Sequence, residues 1–146
     1  MFDKLRQFYH YSRMSSIFIK NFLDWFKVKS KLDKSNHKPP FVEEGNIFWC
    51  RIGENVGTEI NGKGREFFRP VVILKKLSKY TFMVVPTSTK IKEGSWFVHF
   101  VFGEVEMITC LHQARVIDYR RLEDKMGSLS EQDFEIIKKG FINLYQ

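Results

Sequence analysis

A chain of 146 residues that is 43% hydrophobic and 16% aromatic carries enough apolar side chain for one folded domain, which excludes the disordered class. Its net charge of +7 sits mostly at the front, where Met1 to Pro40 holds nine Lys/Arg against three Asp/Glu, leaving fifteen against fourteen for the rest. Such a balance favours nucleic acid or other anionic partners and says nothing about fold.

From Phe2 to Val28 the residues Phe2, Leu5, Phe8, Tyr9, Phe18, Phe22, Leu23 and Phe26 recur at spacings of three and four, predicting one or two amphipathic helices. The most apolar run, Ser16 to Phe26, is broken by Lys20 and Asp24 and falls short of the ~20 residues that span a bilayer. The start also lacks the basic segment, apolar block and cleavage site of a signal peptide, so a cytoplasmic location is expected. Lys27 to Pro40, rich in Lys, Ser and Asn and closed by two prolines, reads as a linker. Residues 1–40 are therefore expected to form a basic helical extension, and 41–146 the main domain.

Strands are predicted near Asn46–Ile52, Arg69–Lys76, Tyr80–Pro86, Trp96–Phe102, Glu104–Thr109 and Gln113–Ile117. The first alternates as a half-buried strand should, whereas Val71-Val72-Ile73-Leu74 is a continuous apolar run rich in β-branched residues. Leu77-Ser78-Lys79 and Gly103 suit tight turns between antiparallel neighbours. Short strands separated by turns indicate a small barrel, mainly β with helices at both ends. Asp118 to Lys125 reads as a brief helical turn. Ser130, with Asp133 three residues on, caps a C-terminal helix whose stripe is Phe134, Ile137, Phe141 and Leu144.

Cys50 and Cys110 lie in or beside apolar strands with no ligand spacing, so neither a zinc site nor a disulfide is expected. No convincing carboxylate pair appears either, and the chemistry is expected to need neither metal nor cofactor. Two strand ends carry the candidate chemistry. Arg69 opens one, and Thr87, Ser88 and Thr89 close the other. A fixed cation beside several hydroxyl donors is a receptor for a phosphodiester, although a strand-end arginine is also an ordinary surface charge and three hydroxyls an ordinary solvated turn. Between them, Gly53 to Phe68 contains Gly57, Gly62 and Gly64 with Lys63 and Arg65, which lets backbone amides approach a phosphate. The spacing is not that of a P-loop; a mobile gating loop is the expectation.

In order and spacing, GNIFWCRIGENVGTEING, FRPVVILKK, VVPTSTK, LHQARVIDYRRL and GSLSEQDFEIIKKGF resemble the MazF/PemK toxins of bacterial type II toxin-antitoxin systems, from about Glu43 to the C-terminus. The resemblance implies a small SH3-like β-barrel with a C-terminal helix, forming a homodimer that receives single-stranded RNA in a groove, and a cognate antitoxin protein bound across it. It further implies a metal-independent endoribonuclease that turns a ribose 2′-hydroxyl on its own phosphate, leaving 2′,3′-cyclic phosphate and 5′-hydroxyl ends. A non-catalytic binding module of the same fold, like the related gyrase-poisoning toxins, is the alternative.

The arginine of the family's R-P-V motif is catalytic and corresponds to Arg69. Ser88 stands where the family usually has a catalytic threonine; it keeps the hydroxyl but loses the β-branch that restricts rotation, and Thr89 is the substitute if the register differs by one. Glu59, Lys63, Thr87, Thr89 and Gln113 are expected to help place RNA. For Glu59 a solvated loop charge, and for Gln113 an amide satisfied by backbone, stay open beside that reading. His99 and His112 invite a two-histidine nuclease, which the family mechanism does not use. Phe48, Trp49 and Trp96 are either base-stacking surfaces or core. The extension either docks on the barrel, contacts RNA or a membrane surface, or fills the antitoxin groove; docking would cover its Phe residues.

Overall fold

The computed structural model describes residues 2–13 and 21–146, with side chains for residues 3–8 and 21–146. Phe18 and the side chains of Phe2 and Tyr9, assigned above to a helical stripe, lie outside the described residues. Helices α1 (Phe2–Arg13) and α2 (Phe22–Asp33) precede strands β1 (Asn46–Arg51), β2 (Phe68–Lys76), β3 (Thr81–Ser88), β4 (Phe97–Phe102), β5 (Val105–Cys110), β6 (Arg115–Asp118) and β7 (Leu122–Ser128), and α3 (Glu131–Leu144) follows.

All pairings among these strands are antiparallel, in the order β4-β5-β3-β2-β1-β7. Strand β3 curls the sheet by serving two neighbours: Thr81 to Val84 pair with β6, and Thr87 and Ser88 pair with β5. The result is a mainly β half-barrel with a C-terminal helix, as expected.

Both faces of the central strands β1 to β3 are buried. Phe48, Cys50, Val71, Ile73, Phe82, Val84 and Ile117 fill the inside of the curl. Ile47, Trp49, Val72, Phe100, Met107 and Met126 point the other way and are covered by Phe8 of α1, with Leu5 and Phe134 at the margin. The alternation in β1 therefore separates two cores rather than core from solvent, because the helices roof the outer face. Phe48 and Trp49 are consequently core, with Phe8 packed edge-on to Trp49 at 5.7 Å.

Strand β7 stands where a helical turn was expected beyond Tyr119–Arg121. Only Leu122 and Met126 of its seven residues are buried, and the charged Glu123-Asp124-Lys125 faces water, as suits an edge strand with little β propensity of its own. The C-terminal helix forms as predicted. Ser130 Oγ accepts from the Asp133 N–H at 3.1 Å, and Phe134, Ile137, Phe141 and Leu144 pack with Leu74, Val85 and Leu111.

Helix α2 continues through Asp33, into the stretch read as linker, because Asn21 caps its start and Arg120 Nη1 holds the Asp33 carbonyl at 2.7 Å. Its anchor is Trp25, which is buried; the expected stripe of Phe22, Leu23 and Phe26 is exposed instead. Trp25 lies against Phe67 at 5.4 Å and so close to Gly53 that a Cβ there would sit 2.3 Å from its ring. Gly53 also has φ +95°, a conformation that disfavours any other residue. Gly53→Ala is expected to displace Trp25 and lower stability by about 2 kcal/mol, read by chemical denaturation.

Candidate active site

Arg69 is the second residue of β2 and pairs with Cys50 of β1. Proline at position 70 biases it towards extended backbone, and its side chain turns inward to only 6% exposure. Its Nε donates to the Asn61 carbonyl at 2.7 Å and its Nη1 to the Thr87 carbonyl at 2.9 Å. The guanidinium thus joins the glycine loop to the end of β3. Burial pushes its pKa down to about 10, which leaves it charged at neutral pH.

The next residue along β3, Ser88, lines the same cavity as Arg69, a space of about 550 Å³ shared with Thr89, Lys63 and Gln113. Ser88 Oγ accepts from the Lys90 N–H at 3.1 Å, which leaves its O–H to donate elsewhere. Thr87 is a correction: it is fully buried, and its hydroxyl donates to the Pro70 carbonyl at 2.8 Å, fixing β2 against β3. The pleat sends alternate side chains to opposite faces, so Ser88 meets the cavity and Thr87 does not.

The loop between β1 and β2, expected to be a mobile gate, is held at several points in this structure. Gly62 N–H donates to the Gly53 carbonyl at 2.8 Å, and Lys63 and Phe68 exchange backbone bonds at 2.8 and 3.0 Å. Gln113 braces the loop from outside: its Oε1 accepts from the Ile60 N–H at 3.1 Å and its Nε2 donates to the Thr58 carbonyl at 3.0 Å. The amide on the cavity wall is therefore engaged with loop backbone. Glu59 is exposed and accepts from the Val56 N–H at 2.8 Å; it is not among the residues lining the cavity.

Lys63 is half-buried on the cavity wall, and burial first, then Arg69 and Lys90, push its pKa down to about 8. Lys90 and Lys92 join it there, and among the described residues no Asp or Glu lines the cavity. These two lysines escaped the sequence reading, although the alternation Thr89-Lys90-Ile91-Lys92 straight after the hydroxyl cluster was a signal for them. Cys110 and His112 also line the wall. The His112 ring stacks on Trp96 at 4.7 Å, and burial, with Lys92, lowers its pKa. His99 lies elsewhere, between Glu93 and Glu106, so the two histidines do not share the cavity. Both cysteines are free and buried, and burial pushes the Cys50 thiol up to about 12. Among the described residues, no cluster of His, Cys, Asp and Glu is arranged to hold a metal, and no helix is long and apolar enough to cross a membrane.

This arrangement can hold and neutralise a phosphodiester. Residues 43–145 match the family described as PemK-like, MazF-like toxin of type II toxin-antitoxin systems. No curated protein sequence matches the chain. Among solved structures it is similar to MazF from Deinococcus radiodurans at 17% identity and a TM-score of 0.61, over 73% of this chain and 98% of that one. An endoribonuclease in complex with its cognate antitoxin from Mycobacterial species aligns at 12% identity and a TM-score of 0.57, over 72% and 95%. A MazE-MazF structure from Deinococcus radiodurans aligns at 14% and 0.55, over 73% and 97%. The fold is shared at low identity, and since the family match spans both strand ends and the loop between them, the chain belongs to the PemK-like, MazF-like toxins of type II toxin-antitoxin systems.

Proposed function

We propose that this chain is an endoribonuclease that cuts single-stranded RNA by directing a ribose 2′-hydroxyl against the adjacent phosphate, without a metal ion. The observation that carries the reading is one wall that presents a buried guanidinium, a side-chain hydroxyl and three lysines with no carboxylate among them. A polyanion is drawn to such a wall, and a divalent cation finds no anionic oxygen there to bind. Because the nucleophile belongs to the substrate, the protein needs only to align it and stabilise charge on the phosphorane-like transition state.

In this reading Arg69 clamps the phosphate, Ser88 donates a hydrogen bond to it, and Thr89, Lys63 and Gln113 place the strand, Gln113 by fixing the loop. Glu59 acts only through that loop. The functional unit is a homodimer, and the cognate antitoxin covers the cationic cavity with acidic residues. The test is incubation of the purified protein with a long RNA in chelator, followed by mapping of the new ends. Cyclic phosphate and 5′-hydroxyl ends are expected; 5′-phosphate ends or strict dependence on added metal would overturn the mechanism. Ser88→Ala should lose most cleavage and Thr89→Ala little; the reverse result would move the hydroxyl role to Thr89.

Lys63 gives the site a pH signature. Its pKa lies near 8, so it is mostly protonated at pH 7 and mostly neutral at pH 9, and a neutral amine no longer attracts phosphate. RNA affinity at constant ionic strength is expected to fall about fivefold across that interval, the loss of roughly 1 kcal/mol of charge-assisted contact. Lys63→Arg should flatten the profile, and an unchanged slope in that variant would remove Lys63 from the cause.

A further inference from the structure

A second cavity, of about 460 Å³, lies between α1 and the β1–β2 loop, lined by Lys4, Gln7, Phe8, Trp49, Lys63 to Glu66 and Phe68. It falls within the size range of small-molecule sites. Lys63 lines both this cavity and the one at Arg69, so the two are neighbours across a single side chain. Phe8 ties them further, its ring centre lying 5.6 Å from Lys63 Nζ and 5.5 Å from Arg69 Cζ. Helix α1 lies outside the residues that match the toxin family, so this wall is an addition of the present chain.

The charges here differ in how they are answered. Lys4 Nζ bonds Asp124 at 2.7 Å, and Glu66 is held by Arg51 Nε at 3.2 Å. Among the described residues no carboxylate pairs with Lys63 or Arg65, and Arg65 is exposed. Gln7 is exposed on the same wall, with an amide able to meet a ribose or a base edge. The indole Nε1 of Trp49 is buried in this wall without an acceptor. Two cations without a carboxylate partner, one of them shared with the Arg69 cavity, suit successive phosphates of one strand.

We propose that the cavity between α1 and the β1–β2 loop is a second nucleotide subsite for single-stranded RNA, in which Lys63 and Arg65 hold the phosphate next to the one at Arg69, and Gln7 contacts the attached nucleoside. This rests on the RNA reading above. The subsite would lengthen the strand the protein grips, so it acts on affinity for longer RNA and not on the chemistry.

The probes are a dinucleotide, with one phosphodiester and no terminal phosphate, and an octanucleotide of mixed-sequence 2′-O-methyl RNA, which cannot be cleaved because the nucleophile is blocked. Wild-type protein is expected to bind the longer strand about tenfold more tightly, and Arg65→Glu and Gln7→Glu, both on exposed residues, to erase most of that gain while sparing the dinucleotide. Lys139→Glu, an exposed reversal on α3 outside both cavities, is the control for general loss of positive charge. Equal weakening of both lengths, matching that control, or no gain with length in the wild type, would overturn the subsite. Binding with the expected gain but no cleavage of unmodified RNA would sink the nuclease reading alone. Failure to bind either probe would sink both.

Discussion

Arg69→Ala is expected to lower RNA cleavage by about 10³-fold, the scale seen when a preorganised donor to a developing anion is removed. The geometry explains why so much falls on one side chain. Nε and Nη1 are engaged with the carbonyls of Asn61 and Thr87, which fixes the plane of the guanidinium while its other N–H groups make no bond among the described residues. A cation held in this way costs no reorganisation when charge develops on a phosphate beside Ser88. Since its pKa stays near 10, it acts as a fixed charge, and cleavage should show no loss of Arg69's proton below about pH 9.

Alanine also strips the buried Thr87 carbonyl and the part-buried Asn61 carbonyl of their donor, at about 1 kcal/mol each, so thermal denaturation of the variant belongs beside the rate. Arg69→Lys separates the two effects. Lysine keeps the charge but cannot bond both carbonyls in one plane, and cleavage should remain at least about 10²-fold reduced. Retention of near wild-type cleavage in either variant would remove Arg69 from the site.

Phe8→Ala is expected to destabilise the protein by about 3 kcal/mol, a fall in Tm on the order of 10 °C. Phe8 is 4% exposed and closes the outer core over Ile47, Trp49, Val72, Phe100 and Met107. Its removal opens that core and takes away the ring beneath Lys63 and Arg69, so RNA affinity should fall as well. Leu23→Ser provides the contrast: Leu23 is 78% exposed on α2, and its loss should leave Tm unchanged within about 2 °C. If Phe8→Ala melts with the wild type, α1 is an appendage and not part of the folded unit. Phe8→Leu, which keeps bulk without a ring, tests whether the cations need the aromatic face in particular.

Much of this was legible in the residues themselves. The β-branched run at Val71 to Ile73, the turn at Gly103 and the Ser130 cap are local signals, and each produces its element because short-range sterics and hydrogen bonding suffice there. Arg69 and Ser88 were also within reach, since a cation and a hydroxyl at the ends of neighbouring strands are carried to one edge by antiparallel pairing. Strand β7 was not legible. Leu122 to Ser128 has weak β propensity, and it becomes a strand because β1 offers an unpaired edge, a partner more than seventy residues away in the chain.

Local sequence set strands β1 to β6, their turns, the cap of α3 and the residue types that can face a phosphate, because these depend on neighbours a few positions away. Only the tertiary structure decided which side of each strand is wet. Thr87 turned inward while Ser88 met the cavity, β1 was buried on both faces, and Gln113 was committed to the loop backbone. Burial is a property of what covers a surface, and here the covers are α1, α3 and the loop, brought from distant parts of the chain.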